Sequence, residues 1–525
     1  MKYIQGQNRG QTYLFPISLD EAIGAGNEVR IIDLFVDSLE LESFGFKVDF
    51  QENGRPAYHP IDLLKLYIYG YLNRLRSSRG LEKECKRNIE VMWLIKNLQP
   101  DHNTISNFRR DNPKAIKKVF RETVKIAKHF NLIGGTLVAG DSTKLRAQNS
   151  KKNNFNQKKI TRHLEYIENR LQEYNQALAE SDGDDKKQIE GKIRKQEQRA
   201  EKYKEIESQL IESGESQVST SDPESRQMII RNNITEVAYN AQTTVDAKNN
   251  LLIDYKVTNT NDSKAMGNML QRAKSILRTN QFTALYDKGY HTGSEFATAD
   301  RLGIETLVAI PGNPRSSEAP DPNYNVEFFG YNKENDSYSC PQGHTLKSNG
   351  SWYKAANYQF KQYKTKACSK CIVKAKCTSS KRNGKIVQRS EYTEGLELNK
   401  KRVEANKILY KQRQSIVEHP YGTIKRQWGF SYILTKKYKK RASADVGFMM
   451  LTYNLRRIIN IVGLTGFKKY LETLLTFIFE KIGHVELILN HMKAFFIPGK
   501  NQNAFCWTGL NRLTLAQTLT IKGSF

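Results

Sequence analysis

Residues 136–144 read Thr-Leu-Val-Ala-Gly-Asp-Ser-Thr-Lys. The run before Asp141 is short, uncharged and largely apolar, which is typical of a buried strand. Upstream, apolar residues recur at helical spacing, as in the segment that opens at His59 and Pro60. The change of period at residue 136 therefore predicts that a helical region gives way to an α/β region, with Asp141 at the end of its first strand.

The chain after residue 214 alternates between strand and helix patterns. Apolar runs bounded by turn residues predict strands over 236–245, 251–257, 282–286 and 305–310. Helical spacing predicts helices over 263–277, 293–302 and 396–418. This order is typical of a mixed α/β fold, in which helices cover a sheet.

The first 130 residues are predicted to be mostly helical. Helices are expected over 60–75, 80–98 and 104–110 and from Pro113 onward, with Asn112 as N-cap. The turn at 99–101, followed by a short helix with Arg109 and Arg110, is compatible with a DNA-binding helix-turn-helix. A helical bundle with a solvated basic face explains the same pattern equally well.

Residues 155–213 interrupt the α/β pattern with two charged helical segments. Apolar residues recur at alternating steps of four and three on both sides of 181–184. This pattern predicts an antiparallel helical hairpin of coiled-coil type. A solvated insertion is the simpler interpretation, and a dimerisation or DNA-reaching arm is the alternative.

Four cysteines fall within the polar, loop-rich segment 312–395: Cys340, Cys368, Cys371 and Cys377. The Cys-x-x-Cys pair has the spacing of metal ligands, and four thiolates can hold a structural Zn²⁺ ion tetrahedrally. His344 could replace one of them. Unligated thiols or a redox pair are the other interpretations.

The composition limits the class of protein. A chain of 525 residues with 38% hydrophobic residues can bury a core and predicts two to four domains. The formal net charge of +28 indicates a polyanionic partner, most simply nucleic acid. We expect neither a signal peptide nor a membrane span, and we expect a cytoplasmic location.

Three acids stand where a metal site could form. Ligands collect at the carboxyl ends of strands in α/β sheets, and Asp141 and Asp287 each follow a strand. Glu418 lies at the end of a helix that can cross the sheet. Two metal ions about 4 Å apart can clamp both oxygens of a phosphoryl displacement, and Mg²⁺ or Mn²⁺ suits carboxylate ligands.

Three rival acids lack this setting. Asp246 and Asp254 flank the turn between two strands, which indicates turn or edge residues. Glu404 lies on the same predicted helix as Glu418 but lacks the tyrosine, arginine and lysine that accompany Glu418.

These residues match a known pattern. The sequence resembles the DDE transposases of bacterial insertion sequences, in the branch with a Tyr-Arg-Glu-Lys signature. The matching motifs are Gly140-Asp141-Ser142-Thr143-Lys144, Asp287-Lys288-Gly289-Tyr290, the set Tyr410, Arg413, Glu418 and Lys425, and Tyr453-Asn454-Leu455-Arg456-Arg457. Four residues separate Arg413 from Glu418, where the family pattern has three. The match spans roughly residues 1–460.

The resemblance implies a ribonuclease H-like fold and a transposase that cleaves double-stranded DNA at the ends of an element and joins them to target DNA. It implies that Asp141, Asp287 and Glu418 hold the metal, and that Tyr410, Arg413 and Lys425 hold DNA phosphates. A homodimer on DNA, at the nucleoid, is expected. A catalytically silent DNA-binding protein and a purely hydrolytic nuclease remain the alternatives.

The predicted organisation has six parts. They are a helical N-terminal domain (1–130), a ribonuclease H-like core (131–154 and 214–311), the helical hairpin (155–213), the cysteine-rich segment (312–395), the catalytic helix with the end of the core (396–460), and a C-terminal tail of unknown role (461–525).

Overall fold

The computed structural model describes residues 18–48, 56–231, 234–312, 318–380 and 382–478. Contacts divide the chain into two units, Met1–Lys469 and Tyr470–Phe525. In the second unit only 470–478 are described, and they are helical, so most of the tail predicted over 461–525 lies outside the described residues. Across the described ranges, no helix is both long enough and apolar enough to cross a membrane.

The N-terminal region is helical, as its spacing predicts. Its helices are α1 (Leu19–Ala22), α2 (Glu28–Asp37), α3 (Leu41–Phe44), α4 (Pro60–Leu72), α5 (Ser78–Cys85), α6 (Ile89–Leu94), α7 (His102–Asp111) and α8 (Pro113–His129). The helix predicted over 80–98 is two helices, because the Asn88 side chain accepts from the Glu90 N–H (3.0 Å) and starts a new one. Asp101 caps α7 in the same way, accepting from Thr104.

The first strand, β1 (Leu137–Arg146), leads into the helical hairpin. The hairpin consists of β2 (Asn154–Phe155), α9 (Gln157–Ala179), α10 (Asp184–Ser213) and β3 (Val218–Ser219). Its base buries a small apolar cluster of Phe155, Ile160, Ile206, Leu210 and Val218. The two helices therefore form as their spacing predicts, and their apolar seam is anchored at the base.

A six-stranded sheet forms the centre of the fold. The remaining strands are β4 (Arg226–Arg231), β5 (Ile234–Asp246), β6 (Leu252–Thr258), β7 (Thr283–Tyr286) and β8 (Glu305–Val308). The order is β6-β5-β1-β7-β8, and β4 also pairs with β5. The pairs of β5 are antiparallel, whereas β1, β7 and β8 run parallel to one another.

The prediction that the first strand ends at Asp141 is wrong. β1 pairs with β5 from Val138 opposite Asp246 to Arg146 opposite Ala238, so Asp141 lies in mid-strand. The second half of β1 is polar, and its side chains form hydrogen bonds inside the fold. Lys425 donates to Thr143, and Lys144 donates to Asp262. Hydrophobicity alone could not reveal a strand whose side chains are satisfied in this way.

Helices cover both faces of the sheet. On one face, α11 (Met266–Leu277) and α12 (Gly293–Leu302) share a buried cluster with Val138, Phe282 and Tyr286. α15 (Lys407–Tyr421) contacts β1, β5 and β7, and α16 (Lys439–Val462) contacts β6 and α8. The N-terminal helices thus pack onto the α/β core through α16.

A buried asparagine closes each edge of the sheet. On β6, the Asn454 side chain from α16 accepts from the Leu252 N–H (3.0 Å) and donates to the Leu252 carbonyl (2.9 Å). On β8, Asn399 of α14 (Thr393–Ala405) makes the same pair with Val308, both at 2.9 Å. Each amide supplies the hydrogen bonds that a further strand would make, which satisfies buried backbone groups and fixes the helix to the edge.

The helix predicted over 396–418 is broken at Asn406 into α14 and α15. Glu404 therefore lies on α14, not on the helix of Glu418 as predicted. α15 also passes through Pro420 instead of ending near Glu418, and a π-helical turn, Gly422–Gln427, follows it. Proline removes one helical hydrogen bond, and the wider π-helical turn begins two residues after it.

The cysteine-rich segment is not loop-rich as predicted. It forms a second sheet of β9 (Gly330–Asn332), β10 (Ser337–Ser339), β11 (Thr345–Ser348), β12 (Tyr353–Lys354), β13 (Gln359–Lys364) and β14 (Val387–Ser390), with the short helix α13 (Lys374–Cys377). One face buries Phe329, Tyr338, Leu346, Tyr363 and Val387. Frequent lysines hid this alternating pattern in the sequence.

Candidate active site

Asp141 lies at the centre of β1, below α15. Its Oδ1 accepts a hydrogen bond from the Ser142 N–H (2.7 Å), and its Oδ2 accepts one from the Arg413 guanidinium (3.2 Å). Burial raises the pKa of Asp141 to about 6, and the charges of Asp287 and Asp262 act in the same direction, against Ser142 and Arg413. A partly exposed carboxyl whose ionised form is disfavoured by like charges is suited to bind a cation.

Asp287 follows β7 and lies beside Asp141. β1 and β7 run parallel with Ala139 opposite Leu285, and β7 ends one residue before Asp287. The same register continued by two residues places Asp287 level with Asp141, and its charge acts on the Asp141 carboxyl. The Asp287 Oδ1 accepts from the Gly289 N–H (2.8 Å), which starts a tight turn. Parallel pairing therefore brings together two carboxylates that are far apart in sequence.

Gly140 makes room for this arrangement. A Cβ at residue 140 would lie 2.0 Å from the ring of Tyr286, the residue before Asp287. The aromatic ring of β7 thus packs directly on the backbone of β1. The glycine in the Gly-Asp-Ser-Thr motif is required by this contact, next to the two aspartates.

Three predicted phosphate-binding residues hold α15 and the turn after it to the sheet. The Tyr410 hydroxyl donates to the Tyr286 carbonyl (3.0 Å), Arg413 contacts Asp141, and Lys425 Nζ donates to Thr143 Oγ1 (2.9 Å). All three side chains are partly buried. The structure therefore shows them in positioning contacts around the two aspartates, and their contacts with DNA stay a prediction.

Glu418 lies on the exposed flank of α15. Its Oε1 accepts from Gln414 Nε2 (2.9 Å), one turn earlier on the same helix. It follows Arg413 by five residues, which rotates it by about 140° around the helix axis. Within the described ranges, no three His, Cys, Asp or Glu side chains are placed to share one metal ion. The structure thus brings Asp141 and Asp287 together and leaves Glu418 apart from them.

Sequence reasoning missed a further carboxylate, Asp262. Its Oδ1 accepts from Asn240 (2.7 Å) and Gln242 (2.6 Å), and its Oδ2 accepts from Lys144 (2.9 Å). The Lys144 ammonium also donates to Ser142, the neighbour of Asp141. The residues next to Asp262 in the sequence gave no sign of its role. Its partner Lys144, however, belongs to the Gly-Asp-Ser-Thr-Lys motif and needs an acidic partner.

Two family models match the chain. One, described as Transposase domain (DUF772), matches residues 17–111, and the other, described as Transposase DDE domain, matches residues 339–459. The second match includes Glu418 and the residues of its signature. The two matches together support a DDE transposase of the insertion-sequence type.

No curated protein matches the transposase. Among solved structures, the transposase is similar to a piggyBac transposase synaptic complex with hairpin DNA, determined by cryo-electron microscopy, at 10% identity. The alignment covers 96% of this chain and 90% of the other, with a TM-score of 0.30. That similarity is too low to support any argument about this transposase.

Arg109 of the transposase is not available to DNA, contrary to the prediction. Its side chain is buried, and its guanidinium donates to the Tyr71 hydroxyl (2.9 Å) and the Arg76 carbonyl (3.1 Å), with Asp445 as counter-ion. This arginine joins α7 to α4 and α16. Arg110 is partly exposed and pairs with Asp111, so its contact with DNA stays a prediction.

The rival acids have structural partners. Asp246 accepts from the backbone N–H groups of Gly134 and Gly135 at 3.0 and 2.8 Å, which agrees with its predicted turn role. Asp254 is not an exposed edge residue: it is fully buried and pairs with Lys117 (2.7 Å) and Arg272. Neither acid is therefore a free metal ligand.

The four clustered cysteines line one cavity in the second sheet domain, together with His344. Burial raises the pKa of Cys377, and the other three thiols act in the same direction. Their positions do not qualify as a metal-binding group among the described residues. The fold thus gathers the thiols, while a shared zinc ion stays a prediction.

Proposed function

We propose that the transposase uses Asp141, Asp287 and Glu418 to hold divalent metal ions, cleaves DNA at the ends of its element and joins the freed ends to target DNA. The observation that carries this proposal is the proximity of Asp141 on β1 to Asp287, which directly follows the parallel strand β7, under a helix that supplies Arg413. Two adjacent carboxylates in a protein with a strongly basic composition suit phosphoryl transfer on DNA.

A ribonuclease H-like core is part of the proposal. Its support is the strand order β6-β5-β1-β7-β8, in which β5 is antiparallel to both β1 and β6, while β7 and β8 run parallel to β1. The first aspartate lies on the central strand and the second follows its parallel neighbour. The carboxylate-bearing α15 crosses these same strands.

The residues fit Mg²⁺ or Mn²⁺. The donors are carboxylate oxygens, which hard divalent ions prefer, and Asp141 is partly buried beside a second negative charge. When bound, the metal would activate the attacking oxygen and stabilise the leaving one. Arg413 and Lys425 would hold α15 and the turn after it in place, so that both are positioned next to the reacting phosphate.

Glu418 is proposed as the third ligand because it is exposed on the helix that covers both aspartates. Gln414, a neutral side chain, is its hydrogen-bond partner in the described structure. A change of rotamer costs little for an exposed glutamate that leaves a neutral partner. The separation of Glu418 from the two aspartates favours the second candidate, a catalytically silent DNA-binding protein.

The four cysteines are proposed to hold a structural Zn²⁺ ion. Support comes from their shared cavity and from Gly384, where an added Cβ would lie 2.4 Å from the Cys368 Cβ, so that the loop packs closely on this thiol. Thiolates are the preferred ligands of structural zinc. The ion would tie 368–377 to β10.

The proposed partner is double-stranded DNA, and the protein is proposed to bind it as a homodimer at the nucleoid. The charge of +28 supports a polyanionic partner, and Arg110, Tyr410, Arg413 and Lys425 are the proposed contacts. The decisive experiment incubates the full chain with Mg²⁺ and DNA carrying the sequence that flanks its gene. Nicking and joined products are expected, whereas DNA binding without either would favour the silent candidate.

A further inference from the structure

The segment 337–390 has an extreme charge. It holds ten lysines and two arginines and no aspartate or glutamate, so that about a tenth of the chain carries +12 of the net +28. The nearest acids, Asp336 and Glu391, lie just outside it. A surface with this composition repels a second copy of itself and attracts a polyanion.

Exposed aromatic rings lie on the same segment. Trp352, Tyr353 and Tyr358 are 49%, 36% and 43% exposed. The Tyr353 and Phe360 rings stack at 5.8 Å, and Tyr358 approaches Phe360 at 6.2 Å. Rings left in water at these fractions do not contribute fully to a core, which indicates a role in binding.

The pairing of strands places the rings and the charges on one face. Tyr363 and Val387 point into the buried cluster, so their neighbours in sequence point outward. Tyr353 is opposite Phe360, and Lys347 is opposite Lys364. The outward face therefore carries Tyr353, Phe360, Gln362, Lys364, Lys347 and Gln388. We name this set, with Tyr358, the aromatic face.

We infer that the aromatic face binds single-stranded DNA, with unpaired bases stacked on Tyr353, Tyr358 and Phe360 and phosphates held by Lys347 and Lys364. Stacking requires bases that a duplex hides, whereas lysines alone would suit any nucleic acid. Neither lysine has an ion-pair partner in the described part of the chain. The inference rests on the proposed function only in taking DNA as the polymer.

The test measures fluorescence anisotropy of the full-length protein with labelled oligo-dT of 20 nucleotides or a 20-base-pair duplex, in EDTA so that no cleavage occurs. We expect the double variant Tyr353→Ala/Tyr358→Ala to lose about tenfold or more in affinity for oligo-dT, since stacking contributes strongly per base. Its affinity for the duplex should change less than twofold. The Tyr→Phe pair should bind like the wild type, because the rings remain.

Two controls come from the same region. Phe328 is 55% exposed but lies outside the acid-free segment, so Phe328→Ala should leave binding unchanged. Lys364→Gln should lower the slope of log K against log salt for oligo-dT by about 0.7, whereas Lys333→Gln, which removes a lysine paired with Glu394, should not.

An unchanged affinity of the folded Tyr→Ala pair for oligo-dT would overturn the inference, and so would an equal loss for oligo-dT and duplex. Melting curves establish that each variant is folded. Failure of cleavage would not bear on the result, because Asp141→Ala protein should bind oligo-dT as the wild type does.

Discussion

Arg413 on α15 donates to the Asp141 carboxylate on β1 at 3.2 Å, a contact between residues 272 positions apart in sequence. The charge of Asp287 also acts on this guanidinium, and both carboxylates raise the pKa of Arg413 while burial opposes them. The arginine therefore neutralises two aspartates that would otherwise repel each other. It also fixes the distance between the helix and the strand.

Replacing Arg413 by Gln should lower the free energy of unfolding of the metal-free protein by about 1–3 kcal/mol, because the charge between the aspartates is lost. Mg²⁺ should recover part of this loss in a thermal melt, since a cation can supply the missing charge. The exposed pair Arg170–Glu173 provides the control: Arg170→Gln should change stability far less than Arg413→Gln does. Equal effects of the two changes would contradict the role of Arg413.

Gly140→Ala should destabilise the protein by about 2 kcal/mol or more, because the new methyl group meets the Tyr286 ring at 2.0 Å. The matched control is Gly191→Ala on α10, where nothing lies within 4 Å and the gain in helix propensity should raise stability slightly. Urea unfolding of both variants decides this. A neutral Gly140→Ala would show that β7 does not pack on β1 as described.

The buried asparagines offer a test of the sheet edges. Asn454→Ala and Asn399→Ala should each cost about 1–3 kcal/mol, because both a backbone N–H and a carbonyl lose their partner. Asn454 also binds Thr123, so its loss should be the larger. Asn323, on an exposed turn, is the control position. Hydrogen exchange should rise at Leu252 and Val308 respectively, and protection that stays intact would refute the closure.

Asp254→Ala should be far more harmful than a change at an exposed acid. It leaves Lys117 and Arg272 without their buried counter-ion, and about 3–5 kcal/mol of stability is expected to be lost. The lysine and arginine lower the pKa of Asp254 against burial, so the carboxylate stabilises the fold above pH 3.8 and loses this effect as the pH falls through the folded pKa. The difference between variant and wild type should narrow below pH 3.8. Glu404→Ala should have little effect at any pH.

The sequence alone predicted much of the core, because its strands and helices differ clearly in period. The strands around Leu285 and Leu252 and the helices around Leu270 and Phe296 lie where their apolar residues predicted them. Turn and cap residues such as Asp101 marked boundaries correctly. These elements bury one side in a regular pattern, which is the property that periodicity detects.

The wrong predictions have a common cause: polar residues that are buried because they have hydrogen-bond or ion-pair partners inside the fold. The second half of β1 looked like a loop because Thr143 and Lys144 are polar. In the fold, however, Thr143 is hydrogen-bonded to Lys425 and Lys144 to Asp262. Asp254 and Arg109 looked like surface residues for the same reason. Buried ion pairs join residues far apart in sequence, and one sequence contains no record of such pairing.

The candidate site was predicted in part. Asp141 and Asp287 lie side by side because parallel strands must align, which follows from their order in the chain. The position of Glu418 depends on the rotation of α15 and on the break at Asn406, neither of which a motif specifies. The position of Asp262 near Asp141 could not be predicted, because it depends on hydrogen bonds among side chains from different strands. They are those of Asn240, Gln242, Lys144 and Ser142.

Mg²⁺-dependent nicking of end DNA by single variants tests the central claim most directly. Asp141→Ala, Asp287→Ala and Glu418→Ala should each abolish nicking as completely as the triple variant, because residues that act as one unit are strongly non-additive. Glu404→Ala should retain activity, and all variants should keep salt-dependent DNA binding. Robust nicking by the folded Asp287→Ala protein would contradict the account, and so would full activity of Glu418→Ala.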